Sequence, residues 1–247
     1  MIDEYIFIRE PVNFQNKFLI YPPSIREVLA LQQKFNAIRK VLTISQEELE
    51  DEFVDKTDLE GNSIKVPTPM EYLFKNSEVN KDFAQVVKDA FMFFIHENVT
   101  LLTDRKEILI GEISKIKSLE KVRLLKEENY FDFQNQIRLC LGEKAIEPPR
   151  PDEDPRVKRI KAKARLRDRI KAEKGLGISL KTSMVSLCCM GLGITPLNIG
   201  ELAYGALNVL IKQYQAKEKY ETDVASLMAG ADSKKVKPKY WIRNLND

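Results

Sequence analysis

The chain has 247 residues, 43% hydrophobic and 31% charged, with 40 Lys and Arg against 37 Asp and Glu. Those proportions exclude a disordered chain and fit an ordinary globular protein, long enough for one large or two small domains. The net charge of +3 is unevenly spread: residues 156–174 hold ten Lys or Arg against Asp168 and Glu173, so this segment carries +8 and everything else sums to −5.

In chain order, "MIDEYIFIRE" begins acidic, and its apolar run is too short for a secretory leader. It alternates like a short strand, and "KFLIYPPS" reads as a second one that stops at a proline pair. Ser24 with Glu27 forms a capping-box pattern and opens a helix to about Leu42. Ser45 with Glu48 repeats the pattern ahead of the acidic helix "QEELEDEFVDK". A loop through Gly61 and Pro67 leads to Thr68, Pro69 and Glu71, a third helix start. Lys81 to His96 predicts a helix with a wide apolar face formed by Phe83, Val87, Ala90, Phe91 and Phe94.

"VTLLTDRKEILIGE" reads as a hairpin turning at Asp104, with helices at Ser118 to Leu125 and Asn129 to Leu141. The four prolines of "EKAIEPPRPDEDP" mark a linker, and the basic segment follows it. Thr182 to Gly200 is free of charge for nineteen residues. Its second half holds Gly191, Gly193, Thr195 and Pro196, so it reads as two helices joined by a turn and not as a membrane span. A long helix is then expected from Thr195 as cap and Pro196 at its first position, ending at Gly230. Gly200 and Gly205 in its first half allow another backbone to approach closely. The fold expected is mainly α with minor β: an N-terminal α+β domain with short hairpins over 1–146, a linker and basic helix over 147–175, and a C-terminal helical module over 176–247.

Residues suited to catalysis are sparse. His96 is the only histidine and sits at a helix end, where it answers the local dipole. There is no Cys-x-x-Cys or His-x-x-x-His spacing, no Walker loop and no dinucleotide fingerprint, so neither a metal nor another cofactor is expected, and no enzyme. Cys140, Cys188 and Cys189 are odd in number and read as free thiols in a reducing compartment.

The basic segment splits its apolar residues into two strips, Val157, Ile160 and Ala164 opposite Ala162, Leu166 and Ile170. No aromatic residue lies between Phe133 and Tyr204, so base stacking on this element is excluded. Three readings stay open for it: a solvated charged helix, a helix docked on an acidic protein surface, and a phosphate-binding helix. Lys158, Arg159, Lys161, Lys163 and Arg165 are its candidate contacts, and "EELEDEF" or a second copy of the chain supplies an acidic surface for them. Leu197, Leu202 and Tyr204, on the helix expected from Pro196, and Trp241 in the tail form a second candidate partner surface, the alternative being an intramolecular hairpin with "SLKTSMVSLCCMG".

From "NYFDFQNQIRLCLGEKAIEPP" onward, through "TPLNIGELAYGALNVLIKQY" and "LMAGAD" to "KYWIRNLND", the chain resembles the tail assembly chaperone group of tailed phages and contractile particles. The N-terminal half and the basic helix lie outside that pattern. The resemblance implies a mostly helical, non-enzymatic protein of the host cytoplasm that coats the tape measure protein until tail tube subunits replace it. It implies tail proteins as partners, either tape measure, tail tube or baseplate. A baseplate assembly protein, and a nucleic-acid-binding protein acting through residues 156–174, are the alternatives.

Overall fold

The computed structural model describes residues 9–53, 66–111, 123–147, 157, 160–161, 163–165, 167 and 179–240. Outside them lie most of the strand expected at the start, the Gly61 loop, the proline linker, Lys158, Arg159 and Trp241. The architecture is mainly α with minor β.

A two-stranded hairpin, β1 (Val12–Phe14) and β2 (Phe18–Ile20), begins the described chain. Its turn holds both Gln15 and Asn16 in the left-handed region, at φ 50° and 56°. Helices α1 (Ile25–Leu31), α2 (Lys34–Thr43) and α3 (Gln46–Phe53) follow, then α4 (Pro69–Val79) and α5 (Lys81–Ile95). All three expected capping boxes are present. Ser24 pairs with Glu27, Ser45 with Glu48, and Thr68 with Glu71, each Oγ accepting the third amide of its helix while the glutamate accepts the cap amide.

The helix expected from Ser24 to Leu42 is two helices. Gln32 turns the chain at φ 49° and ψ −123°, outside helical space, so the apolar positions Val28 and Phe35 reach one core from differently directed helices. Sequence periodicity runs through the break because both halves bury the same face.

The hairpin at 99–110 is present as β3 (Val99–Leu102) and β4 (Glu107–Ile110), around a short 3₁₀ turn at Thr103–Arg105. A third strand, β5 (Arg123–Leu125), pairs with β4 where a helix over 118–125 was expected. Its short run "RLL" has no period of its own. Pairing with β4 decides it, and Arg123 fixes the edge by a two-pronged contact with Glu97 at 2.8 and 2.6 Å. Residues 118–122 lie outside the described residues.

α6 (Glu127–Cys140) completes the N-terminal core. Phe91 of α5 stacks on Phe133 of α6 with centroids 5.4 Å apart, and Phe14 and Phe18 meet the same ring edge-on. Buried Gln134 donates to the carbonyls of Leu42 and Ile44, and Arg138 to that of Thr43, so α6 satisfies the carbonyls left open at the end of α2.

The C-terminal part contains α7 (Leu180–Cys189), stopped by Gly191 and Gly193 as expected, and α8 (Tyr204–Met228). α8 starts at Tyr204, not at Pro196. Thr195–Asn198 forms a turn, Ile199–Glu201 a 3₁₀ turn, and Leu202–Ala203 is extended. The cause is tertiary: the Ile25 amide donates to Leu202 O at 2.9 Å and the Tyr204 amide to Pro23 O at 2.8 Å, with Ser24 and Ala203 paired as an isolated antiparallel bridge. Each helix, α1 and α8, thus gives its first orphan amide to the carbonyl of the segment leading into the other. At the far end Gly230 closes α8 with the expected left-handed cap, Ala231 donating to Ser226 O and Gly230 to Leu227 O.

α6 ends in the same motif at Gly142, whose φ is 69°. A Cβ there would lie 2.2 Å from Gly205 O in the first turn of α8. We predict that Gly142→Ala costs roughly 2–4 kcal/mol in urea denaturation, combining left-handed strain with overpacking. Gly191→Ala has a similar φ of 68° with nothing within 4 Å, and is expected to cost only about 1–2 kcal/mol. Equal losses would remove the backbone contact from the account.

Candidate functional site

The candidate residues separate into two sets. In the basic segment, the described residues Val157, Ile160, Lys161, Lys163, Ala164, Arg165 and Arg167 are helical, and all but Arg165 are exposed. The strip of Val157, Ile160 and Ala164 faces solvent, with Ile160 67% exposed. Arg165 instead turns onto the acidic helix α3. Its guanidinium donates to Asp51 at 2.8 and 3.1 Å, and to Glu47. An acidic surface of the chain itself therefore receives one residue of the segment, through a forked contact that suits a carboxylate.

The second set divides again. Leu197 is 91% exposed on the turn before α8, whereas Tyr204 is half-buried and meets the ring of Phe35 edge-on at 5.2 Å. The carbonyl of Leu202 is committed to Ile25, and its side chain packs beside Ile25, Leu187, Ile199, Leu207 and Ile211. The structure brings Leu202 and Tyr204 together at the seam with the N-terminal core and leaves Leu197 apart from it. Val185 on α7 and Leu192 in the turn after it are exposed as well.

His96 caps α5 at φ 59° and stacks on Tyr21 with centroids 4.1 Å apart. It borders a groove of ≈490 Å³ lined by Glu27, Leu31, Lys34, Ile38, Met92 and Phe93. Burial pushes the Glu27 carboxyl up, but the amide and hydroxyl of Ser24 and the guanidinium of Arg9 at 2.8 Å outweigh it and hold the group below its ordinary value. Among the described residues no cluster of His, Cys, Asp or Glu is placed to hold a metal ion, and no helix is long and apolar enough to cross a membrane.

Sequence reasoning missed a second groove, of ≈500 Å³, between α8 and the tail. Lys219 and Tyr220 line it from the helix, and Lys235, Lys237 and Lys239 from the tail. The signal was present in "SKKVKPKY", where lysines alternate, but the larger basic run at 156–174 masks it in any charge count.

Residues 170–246 match the family model of the YomV second domain, a phage-derived family named for YomV of the SPbeta prophage. The match covers α7 and α8, so this part of the chain is similar to a phage-derived domain. No curated protein and no solved structure matches the chain.

Two outcomes follow. Because the folded-state value of Glu27 is depressed, its contribution is present above the unfolded carboxylate value and is lost as pH falls through the folded one. Glu27→Ala is therefore expected to cost about 1 kcal/mol at neutral pH, discounted for the exposure of the side chain, with the gap from wild type closing in acid. Thermal melts across that range check it. Arg165→Ala is expected to shift stability by under about 1 kcal/mol and to speed proteolytic cutting beside position 165, because the forked contact holds this residue's helix to α3.

Proposed function

We propose that the protein is a non-catalytic phage tail assembly protein that holds the tape measure protein, or another tail component, while the tail is built. The observation that carries this reading is the position of the exposed apolar residues. Val185, Leu192 and Leu197 lie in the part of the chain that matches a phage-derived domain, on the elements leading into α8. Large apolar side chains left in water on a short stretch of chain are the material of surfaces for protein partners. The resemblance of the stretches from residue 129 onward, the basic helix excepted, to tail assembly chaperones supplies the class of client, a long helical protein. In this reading α1, α2 and α6 anchor the C-terminal helices and the outer side of α7 meets the client.

The test is co-expression with the tape measure protein encoded by the same phage. The wild-type chain is expected to keep that protein soluble and to co-purify with it. Val185→Asp with Leu197→Asp should abolish co-purification while the melting temperature stays within a few degrees, since both side chains are exposed. Reversing Lys161 and Lys163 to Glu should weaken the complex by a smaller factor. Recovery of baseplate proteins in place of the tape measure moves the client within the tail. Recovery of neither removes the proposal.

A further inference from the structure

The groove between α8 and the tail has a composition that the assembly reading does not use. Its helix side presents Lys219, Tyr220 and Asp223, and its tail side Lys235, Lys237 and Lys239, a net of +3 at one place. Among the described residues none of the four lysines has a carboxylate within ion-pair distance, the ion pair on this helix being Lys217–Glu221. The Asp232 carboxylate accepts the Lys234 amide at 2.9 Å in the turn that follows α8.

The tail reaches the groove from a turn in which the Lys235 and Val236 amides donate to Asp232 O at 2.9 and 3.0 Å. From Lys235 to Lys239 exposure alternates, with the three lysines exposed and Val236 and Pro238 half-buried between them. Beyond that turn extended chain advances about 3.3 Å per residue, so Lys237 and Lys239, on either side of Pro238, stand about 6.6 Å apart on the open side. Pro238 holds Lys237 in the extended region and blocks any helical collapse. That spacing is close to the separation of successive phosphates along a single nucleic-acid strand. At the end of the row Tyr220 meets Tyr240 edge-on at 5.6 Å, and Tyr240 is 60% exposed.

We propose that this groove binds single-stranded nucleic acid, the lysines taking successive phosphates and Tyr240 offering its ring to a base. Charge and aromatic stacking together are what sequence-tolerant single-strand sites use. Lysine ammonium groups are point charges that pair with phosphate oxygens without a fixed geometry, which suits a strand bound without sequence preference. Stacking requires unpaired bases, which selects a single strand over a duplex. The basic segment, which has no aromatic residue, offers attraction without this second element.

Fluorescence anisotropy of the full-length chain with a labelled oligothymidylate of about twenty nucleotides tests the site. Replacing Lys235, Lys237 and Lys239 together with Gln is expected to weaken binding at least tenfold at low salt. It should also flatten the log–log salt dependence by about 2, from three phosphate contacts at about 0.7 each. Tyr240→Ala should cost about fivefold or more with the salt slope unchanged. If the triple variant fails to fold, Lys239→Gln alone should still lower the slope by about 0.7. The proposal is overturned if wild-type protein does not retain the oligonucleotide, or if affinity survives the lysine changes. It also fails if only Lys161→Glu with Lys163→Glu abolishes binding, if a duplex binds equally well, or if polyglutamate displaces the strand at matched charge.

Discussion

The exchange of backbone hydrogen bonds between α1 and α8 fixes how the C-terminal helices sit on the rest of the chain. Ile25 donates to Leu202 O, and Tyr204 to Pro23 O. A helix start buried without partners leaves amides that cost free energy, so each helix depends on the other for one of its first donors. The side chains agree with the backbone. Ile25 packs among Leu187, Ile199 and Leu207, while Ala203 and Ala206 meet Leu139. Gly142 and Gly205 then bring α6 and α8 within backbone distance, a contact that no larger residue at position 142 allows.

This seam accounts for which surfaces are spent and which remain. Leu202 and Tyr204 serve the chain's own packing, and Arg165 ties a basic helix to an acidic one of opposite charge. Among the surfaces that stay exposed are the outer side of α7, the Leu197 turn, and the lysine row beside the distal end of α8. The two proposed binding surfaces thus lie before and after the same long helix, within the part that matches the YomV second domain. The N-terminal α+β core reads as an anchor for that part.

How far the sequence revealed this depended on the range of the interaction concerned. The capping boxes at Ser24, Ser45 and Thr68, the glycine stops at Gly191 and Gly230, and the core face of α5 each rest on residues within a few positions, and all are present. The break at Gln32, the strand at Arg123–Leu125 and the late start of α8 each depend on a partner far along the chain. Thr195 and Pro196 are sound local start signals, and they do form a turn. Pro23 and Ile25 then draw the following residues into an extended bridge. The charges of the basic segment and of α3 made their docking one of the two acidic contacts the sequence allowed, and Arg165 takes it; which basic residue would reach across more than a hundred positions was not legible. The lysine groove requires the tail to fold back beside α8, which no periodicity records.

The most direct measurement of the central claim is native-state hydrogen exchange at the amides of Ile25 and Tyr204. The seam places both in interhelix hydrogen bonds beside fully buried side chains, so they should exchange only on global unfolding, with the same free energy as core amides such as Phe94. If Tyr204 and Ile25 exchange much faster than Phe94 while the N-terminal core stays protected, the C-terminal helices are tethered and not docked. The division between anchoring and binding surfaces drawn here would then be contradicted.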